Sequence, residues 1–509
     1  MAELNKIKNT KRNILFGIVS KLVSMMFPFV IRSIILYELG ANYLGLGSLF
    51  SSILQVLSLA ELGFGSAIVF SMYKPIANND KDTICALLNL YRKVYLIIGV
   101  VILVVGISVS PFLKHLISKD CPENINIYIL YFINLSNVVI SYFFFGYKES
   151  LLLAHQRVDV DKILFLVFET LMYSSQIVLL FVFKNYYYYL ICLPLMTLCV
   201  NISRNIVVTR MFPLYRASGS ICKADRKEIY KRVFGLMLSR ICQVCRNSFD
   251  SIAISAFLGL VILGQYQNYY YIMNMVIAFL TILTTSIVAG VGNDVVTKTK
   301  EENYQRFLLF HFIYNWIASW CSVCLLCLYQ PFMSIWVGQD NMLSFGLVVC
   351  MCVYFYSLKV GDVTSLYRDA TGMFWIDRFR PIVESIANLV LNFSLVYFFG
   401  LYGVVVSTII SIVFINIPWS IHILFKHYFQ SRSKEYILEV LFCSLVLIII
   451  SVGTYFVCSF VRISNAYANL AIRFLICLVF PNLLLMTTFM KTKRFKESRD
   501  LALYALKRH

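Results

Sequence analysis

Residues 8–68 read KNTKRNILFGIVSKLVSMMFPFVIRSIILYELGANYLGLGSLFSSILQVLSLAELGFGSAI. The basic cluster stops at Arg12, and Ile14 to Tyr37 is apolar apart from a few scattered polar positions. That run exceeds the roughly 20 residues a helix needs to cross about 30 Å of hydrocarbon. A short turn around Glu38–Asn42 follows, and a second apolar run begins at Leu44. The first run is too long for the apolar region of a cleavable signal, contains Lys21 and Arg32, and lacks a small-residue cleavage site, so it reads as a retained membrane span.

Outward from this hairpin the pattern continues. The chain has 509 residues, 60% apolar and 14% charged, against about 25% charged in soluble domains. Mean hydropathy is +0.76. These values exclude the soluble classes and predict an all-α polytopic membrane protein. Fourteen apolar segments of span length can be placed, with twelve as the alternative count. Of the 45 Lys and Arg residues, 35 fall in the N-terminus, the even-to-odd connectors and the C-terminus. Only Lys114, Lys119, Lys184 and Arg462 fall in the opposite loops. Basic residues mark the cytoplasmic side, so both termini are expected there. The net charge of +19 is thus a topology signal and does not call for a nucleic-acid partner.

The motif LG-x-x-x-LG occurs at Leu39–Gly45 and again at Leu258–Gly264, an offset of 219 residues that also carries Lys21 onto Arg240. Two parallel six-helix lobes are expected: spans 1–6 in residues 1–209, a basic linker at 210–231, spans 7–12 in 232–425, then spans 13 and 14 with a basic tail in 426–509. Such repeats place their site at the interface between halves.

Charges inside spans are costly and mark cavities or pathways. Lys21, Ser24, Pro28 and Arg32 share one face of span 1. On span 7, Arg240, Gln243, Arg246, Asn247 and Asp250 lie within a 120° arc, on the order of one third of the helix surface. Lys359 and Asp362 in span 10 are spaced as a self-satisfying i, i+3 pair. Glu61 in span 2 has no cation within one turn, so it either pairs across to Lys21 or Arg32 or titrates as a coupling group. Cations outnumber anions on this reading, and fixed guanidinium and ammonium groups suit a phosphate or diphosphate. The fifteen cysteines lie mostly within spans; Cys321, Cys324 and Cys327 repeat at i, i+3, i+6 without a flanking His or acid, which reads as helix packing. Tyrosine runs at 186–189 and 269–271 fit interfacial belts.

The 8–68 stretch, the basic connector after it and GLYGVVVSTIIS at 400–411 resemble the Wzx-type oligosaccharide flippases of bacterial surface-polysaccharide assembly. These belong to the multidrug/oligosaccharidyl-lipid/polysaccharide exporter superfamily, which has a MATE-like fold. The resemblance implies a multi-pass protein of the bacterial cell membrane. It implies alternating-access transfer of a polyprenyl-diphosphate-linked oligosaccharide from the cytoplasmic to the outer leaflet, without catalysis and without a cofactor beyond proton or sodium coupling. Lys21, Arg32, Arg240 and Arg246 would hold the diphosphate. Glu61, Gln243, Asn247, Asp250, Lys359 and Asp362 would line the cavity or take part in coupling. A polysaccharide polymerase and the initiating phosphoglycosyl transferase would be partners. A cation-coupled multidrug antiporter of the same superfamily is the competing expectation.

Overall fold

The computed structural model describes residues 2–58, 64–373, 376–461 and 463–507, and within them all side chains except those at 2–18, 66, 223–225, 228, 231–243, 247, 285, 286, 289, 296 and 501–507. Among the described residues the regular structure is entirely helical. Ten helices are long and apolar enough to cross a membrane, and a pair bent by 50°, Ile127–Phe143 with Gly146–Ala154, makes an eleventh. The protein is a polytopic all-α membrane protein. Each of the fourteen expected spans overlaps a helix among the described residues; the second overlaps two shorter apolar helices, Ala41–Leu57 and Ala67–Ala77, and residues 59–63 between them lie outside the described residues.

The chain divides into two compact units, Met1–Gly264 and Gln265–His509. The first contains α1 (Ala2–Glu38), α2 (Ala41–Leu57), α3 (Phe64–Ala77), α4 (Lys81–Val109), α5 (Ile127–Phe143), α6 (Glu149–Ala154), α7 (Val158–Phe183), α8 (Tyr186–Met211) and α9 (Lys223–Leu258). Helix α10 (Leu260–Thr297) begins at the division. The second unit continues with α11 (Lys300–Trp336), α12 (Phe345–Val360), α13 (Asp362–Ala370), α14 (Phe379–Phe399), α15 (Leu401–Ser411), α16 (Ile417–Leu424), α17 (Lys434–Ser459), α18 (Ala466–Phe489) and α19 (Lys493–Lys507).

The division falls after α9, not in the basic connector at 210–231, because α9 packs along α2 and α3. The LG-x-x-x-LG copies make this possible. Gly40 and Gly259, equivalent under the 219-residue offset, both have left-handed φ values, 107° and 102°, which glycine adopts without a Cβ clash. Each turns the chain sharply into the next helix, α2 or α10.

In the second unit, α14 and α15 form a close pair whose contact face is polar. Asn388, Asn392, Ser407 and Thr408 are fully buried. Asn388 donates to Thr408 Oγ1 at 3.0 Å, and Ser407 donates to Asn392. With no water available in the hydrocarbon region, such side chains satisfy one another across the helix seam.

Candidate functional site

The polar face of α1 does not stand alone. Helix α7 packs along it and places Glu169, 8% exposed, against it. Ser24 Oγ lies 3.0 and 2.9 Å from the two carboxylate oxygens of Glu169, and Tyr173 donates its hydroxyl to Oε1 at 2.9 Å. The Tyr173 ring stacks on Phe27 at 5.3 Å, which fixes the phenol. Lys21, one turn before Ser24, is exposed. Arg32, toward the other end of the face, is partly buried, with Tyr186 and Tyr189 of α8 within electrostatic reach. The seam therefore carries a carboxyl group held by hydroxyls between two cationic positions. Glu169 escapes a reading of the sequence; its one signal is a lone acid within the apolar run at 163–183.

On α9, Arg246 and Asp250 are both buried, 8% and 2% exposed. Ser248 on the same stretch donates to Gln55 of α2 at 3.5 Å, so this segment packs on α2 within the first unit. The side chains of Arg240, Gln243 and Asn247, and the whole of Glu61, lie outside the described residues. Lys359 and Asp362 form the expected pair, 2.8 Å between Nζ and Oδ2, and Tyr314 of α11 also donates to Asp362.

Acids as well as bases are buried, many of them near the ends of spans. Among the described residues the buried acids are Asp159, Asp161, Glu169, Asp250, Asp294, Asp377 and Glu384, against the bases Arg204, Arg246, Lys359, Arg368 and Arg380. Most of these acids lie near helix ends, where they read as connector charges. Two networks result. In the first unit Arg204 bridges to Asp161 at 2.8 Å and to Asn201 at 2.9 Å. In the second, Asp377 forms an ion pair with Arg368 at 2.8 Å and accepts hydrogen bonds from Arg380 at 2.7 Å, and Arg380 reaches Glu384 at 3.3 Å. The tyrosine runs are likewise divided. Tyr188 is exposed, but Tyr186 is buried and donates to the Tyr43 carbonyl at 3.2 Å, and Tyr269 is buried and donates to Gln330 at 2.9 Å.

The second unit also holds an apolar groove of about 770 Å³, walled by α11, α12, α16 and α17 and the bulge before α16. Val349, Val353, Val413, Ile421 and Leu441 line it, with no charged residue. The chain between α15 and α16 is π-helical over Ile412–Asn416, directly before Pro418, and both Val413 and Pro418 face the groove. Such a bulge widens a helix locally and recurs at functional sites.

No protein-family model and no curated protein matches the sequence. Solved structures do match. The lipid II flippase MurJ, in an inward closed conformation, is 14% identical with a TM-score of 0.68, covering 94% of this chain and 99% of its own. An inward-facing multidrug resistance MATE family transporter of the MOP superfamily is 15% identical with a TM-score of 0.61, covering 79% and 97%. A point mutant of the Vibrio cholerae MATE transporter VcmN is 13% identical with a TM-score of 0.56, covering 84% and 98%. The chain has the fold of these transporters. At this identity the likeness is one of fold, and the cargo has to be argued from the residues.

Proposed function

We propose that the protein flips a polyprenyl-diphosphate-linked oligosaccharide across the bacterial cell membrane by alternating access, with both termini cytoplasmic. The apolar groove carries this reading. A water-soluble cargo needs no uncharged groove of this size, whereas a polyprenyl tail must remain in an apolar surrounding while its headgroup moves. The groove is walled in part by α17, one of the last two long apolar helices of the chain. MurJ, which spans 94% of this chain, is named for a lipid cargo. The diphosphate would be held by Lys21, Arg32, Arg240 and Arg246. Gln243, Asn247, Asp250, Lys359 and Asp362 would supply further polar contacts. Coupling to protons or sodium would use Glu169, with Glu61 as a second acid. Polysaccharide polymerase and the initiating phosphoglycosyl transferase would act beside it.

Glu169 favours a second reading, since a buried acid is also what a cation-coupled multidrug antiporter requires. Reconstituted vesicles separate the two. With a fluorescent polyprenyl-diphosphate oligosaccharide in both leaflets, the protein should make the inner pool accessible to an added quencher. Lys21→Ala with Arg32→Ala, and separately Val349→Trp with Val353→Trp, should slow that transfer at least about tenfold. Saturable efflux of a lipophilic cation with no lipid transfer overturns the proposal in favour of the antiporter.

A further inference from the structure

Helix α11 places Cys324 and Cys327 on successive turns of one face, and α17 and α18 both pack against α11. The result is a cluster that spacing alone does not reveal. The Sγ atoms of Cys327, Cys458 and Cys477, one from each helix, all lie within 4.8 Å of one another. The three residues are 1%, 0% and 0% exposed. Cys324 adjoins them, its sulfur 3.9 Å from the Cys477 carbonyl oxygen.

Three observations fit a bound ion better than packing alone. The first is size: with Zn–S bonds of about 2.3 Å, sulfurs sharing one ion stand roughly 3.8–4.0 Å apart, and all three sulfurs here lie within 4.8 Å of one another. The second is charge. Three thiolates around a divalent cation leave one net negative charge, and a buried net charge needs a partner. Arg473 stands one turn before Cys477 on α18, a cation placed to offset that charge. The third is access. A cavity of about 600 Å³ is lined by Gln330, Ser334, Asn469 and Arg473. Gln330 is three residues beyond Cys327 and Arg473 four before Cys477, so the cavity floor lies one turn from the sulfurs.

We propose that Cys327, Cys458 and Cys477 form a binding site for a thiophilic divalent d¹⁰ cation of the zinc or cadmium type. The three thiols release their protons through the cavity as the ion binds, and a fourth position remains toward Cys324. Soft thiolate sets select such ions over magnesium, calcium or manganese. The bound ion ties the two C-terminal spanning helices to α11, so it acts as a staple for this unit and takes no part in cargo binding.

The test uses the full chain, purified in detergent, reduced and stripped with a chelator, and titrated with Cd²⁺. One equivalent per chain should produce thiolate-to-cadmium charge-transfer absorbance and raise the melting temperature. Cys327→Ser, Cys458→Ser and Cys477→Ser should each abolish the stoichiometric absorbance, and the exposed Cys199→Ser should leave it intact. Arg473→Gln, which keeps every sulfur, should weaken binding about tenfold and guards against a Cys variant that merely misfolds. Absence of the absorbance in the wild type overturns the proposal. So does equal binding by Cys327→Ser and wild type, or a disulfide joining two of the three cysteines in protein isolated under nitrogen.

Discussion

Gly45 and Gly264, equivalent positions of the repeated LG-x-x-x-LG motif, each press against the backbone of the other copy. A Cβ on Gly45 would lie 2.0 Å from the carbonyl oxygen of Leu260, and one on Gly264 would lie 2.3 Å from that of Ala41. Since Ala41 and Leu260 are themselves related by the 219-residue offset, the contact is reciprocal. The two copies meet about a local twofold, and small residues allow the helix backbones this close approach.

Either substitution, Gly45→Ala or Gly264→Ala, must therefore push two backbones apart. We expect each to cost at least about 1–3 kcal/mol, read as a lower melting temperature in detergent and lower yield. Gly453→Ala is the control: nothing lies within 4 Å of the position its Cβ would take, and an alanine inside a helix should be neutral or stabilising by up to about 1 kcal/mol. Equal behaviour of the three variants would show that the motif contact carries no stability.

Glu169 gives a functional prediction. Glu169→Gln keeps an oxygen for the Ser24 and Tyr173 hydroxyls, so the α1–α7 seam should stay packed and the melting temperature nearly unchanged. The side chain can no longer ionise. Translocation driven by an imposed proton or sodium gradient should fall to the gradient-free rate, with exchange in the absence of a gradient retained. Under the offset, Glu169 corresponds to Asn388 of α14, so the acid belongs to one repeat only. Full gradient-driven transport by the Gln variant would remove Glu169 from coupling.

The apolar helices, the LG-x-x-x-LG contact and the Lys359–Asp362 pair are legible in the sequence because they are local or periodic. Hydropathy reports length, LG-x-x-x-LG recurs at a fixed offset, and an i, i+3 pair lies on one helix. What stays hidden depends on which helix faces which. Ser24 and Glu169 are separated by 145 residues, so a lone serine and a lone acid give no hint of each other. Asp161 and Arg204 look like connector charges near span ends, yet α7 and α8 bring them into one buried pair. Cys327 reads as gap-filling because its ligand partners lie on two later helices. Composition reports the cysteine count, but not that three sulfurs converge.

The buried network of the second unit should behave as one element. Asp377→Ala removes the carboxylate that pairs with both Arg368 and Arg380, leaving two cations 8% and 6% exposed, with Glu384 and the more exposed Asp369 beside them. Removing one partner of a buried ion pair costs about 3–5 kcal/mol. Arg499→Ala, which breaks an exposed contact with Asp500 on α19, should change stability by less than about 0.5 kcal/mol. Thermal unfolding in detergent, followed by intrinsic fluorescence, distinguishes the two.

The connector between α6 and α7 holds a pH-sensitive contact. His155 packs at a tilt against Phe212 and Tyr215 with centroid separations of 4.4 and 5.4 Å, and its Nδ1 lies 2.9 Å from the Leu151 carbonyl. Burial holds its pKa below the ordinary value of 6.5, outweighing that hydrogen bond, which acts the other way. The folded state thus binds a proton less readily than the unfolded chain, so the neutral ring's contribution to stability is complete above pH 6.5 and is lost as pH falls below it. The wild type should lose melting temperature between about pH 7.5 and pH 5.5 by more than His155→Phe, which keeps the aromatic packing but cannot ionise. Parallel pH profiles for the two proteins would show that His155 does not govern the loss.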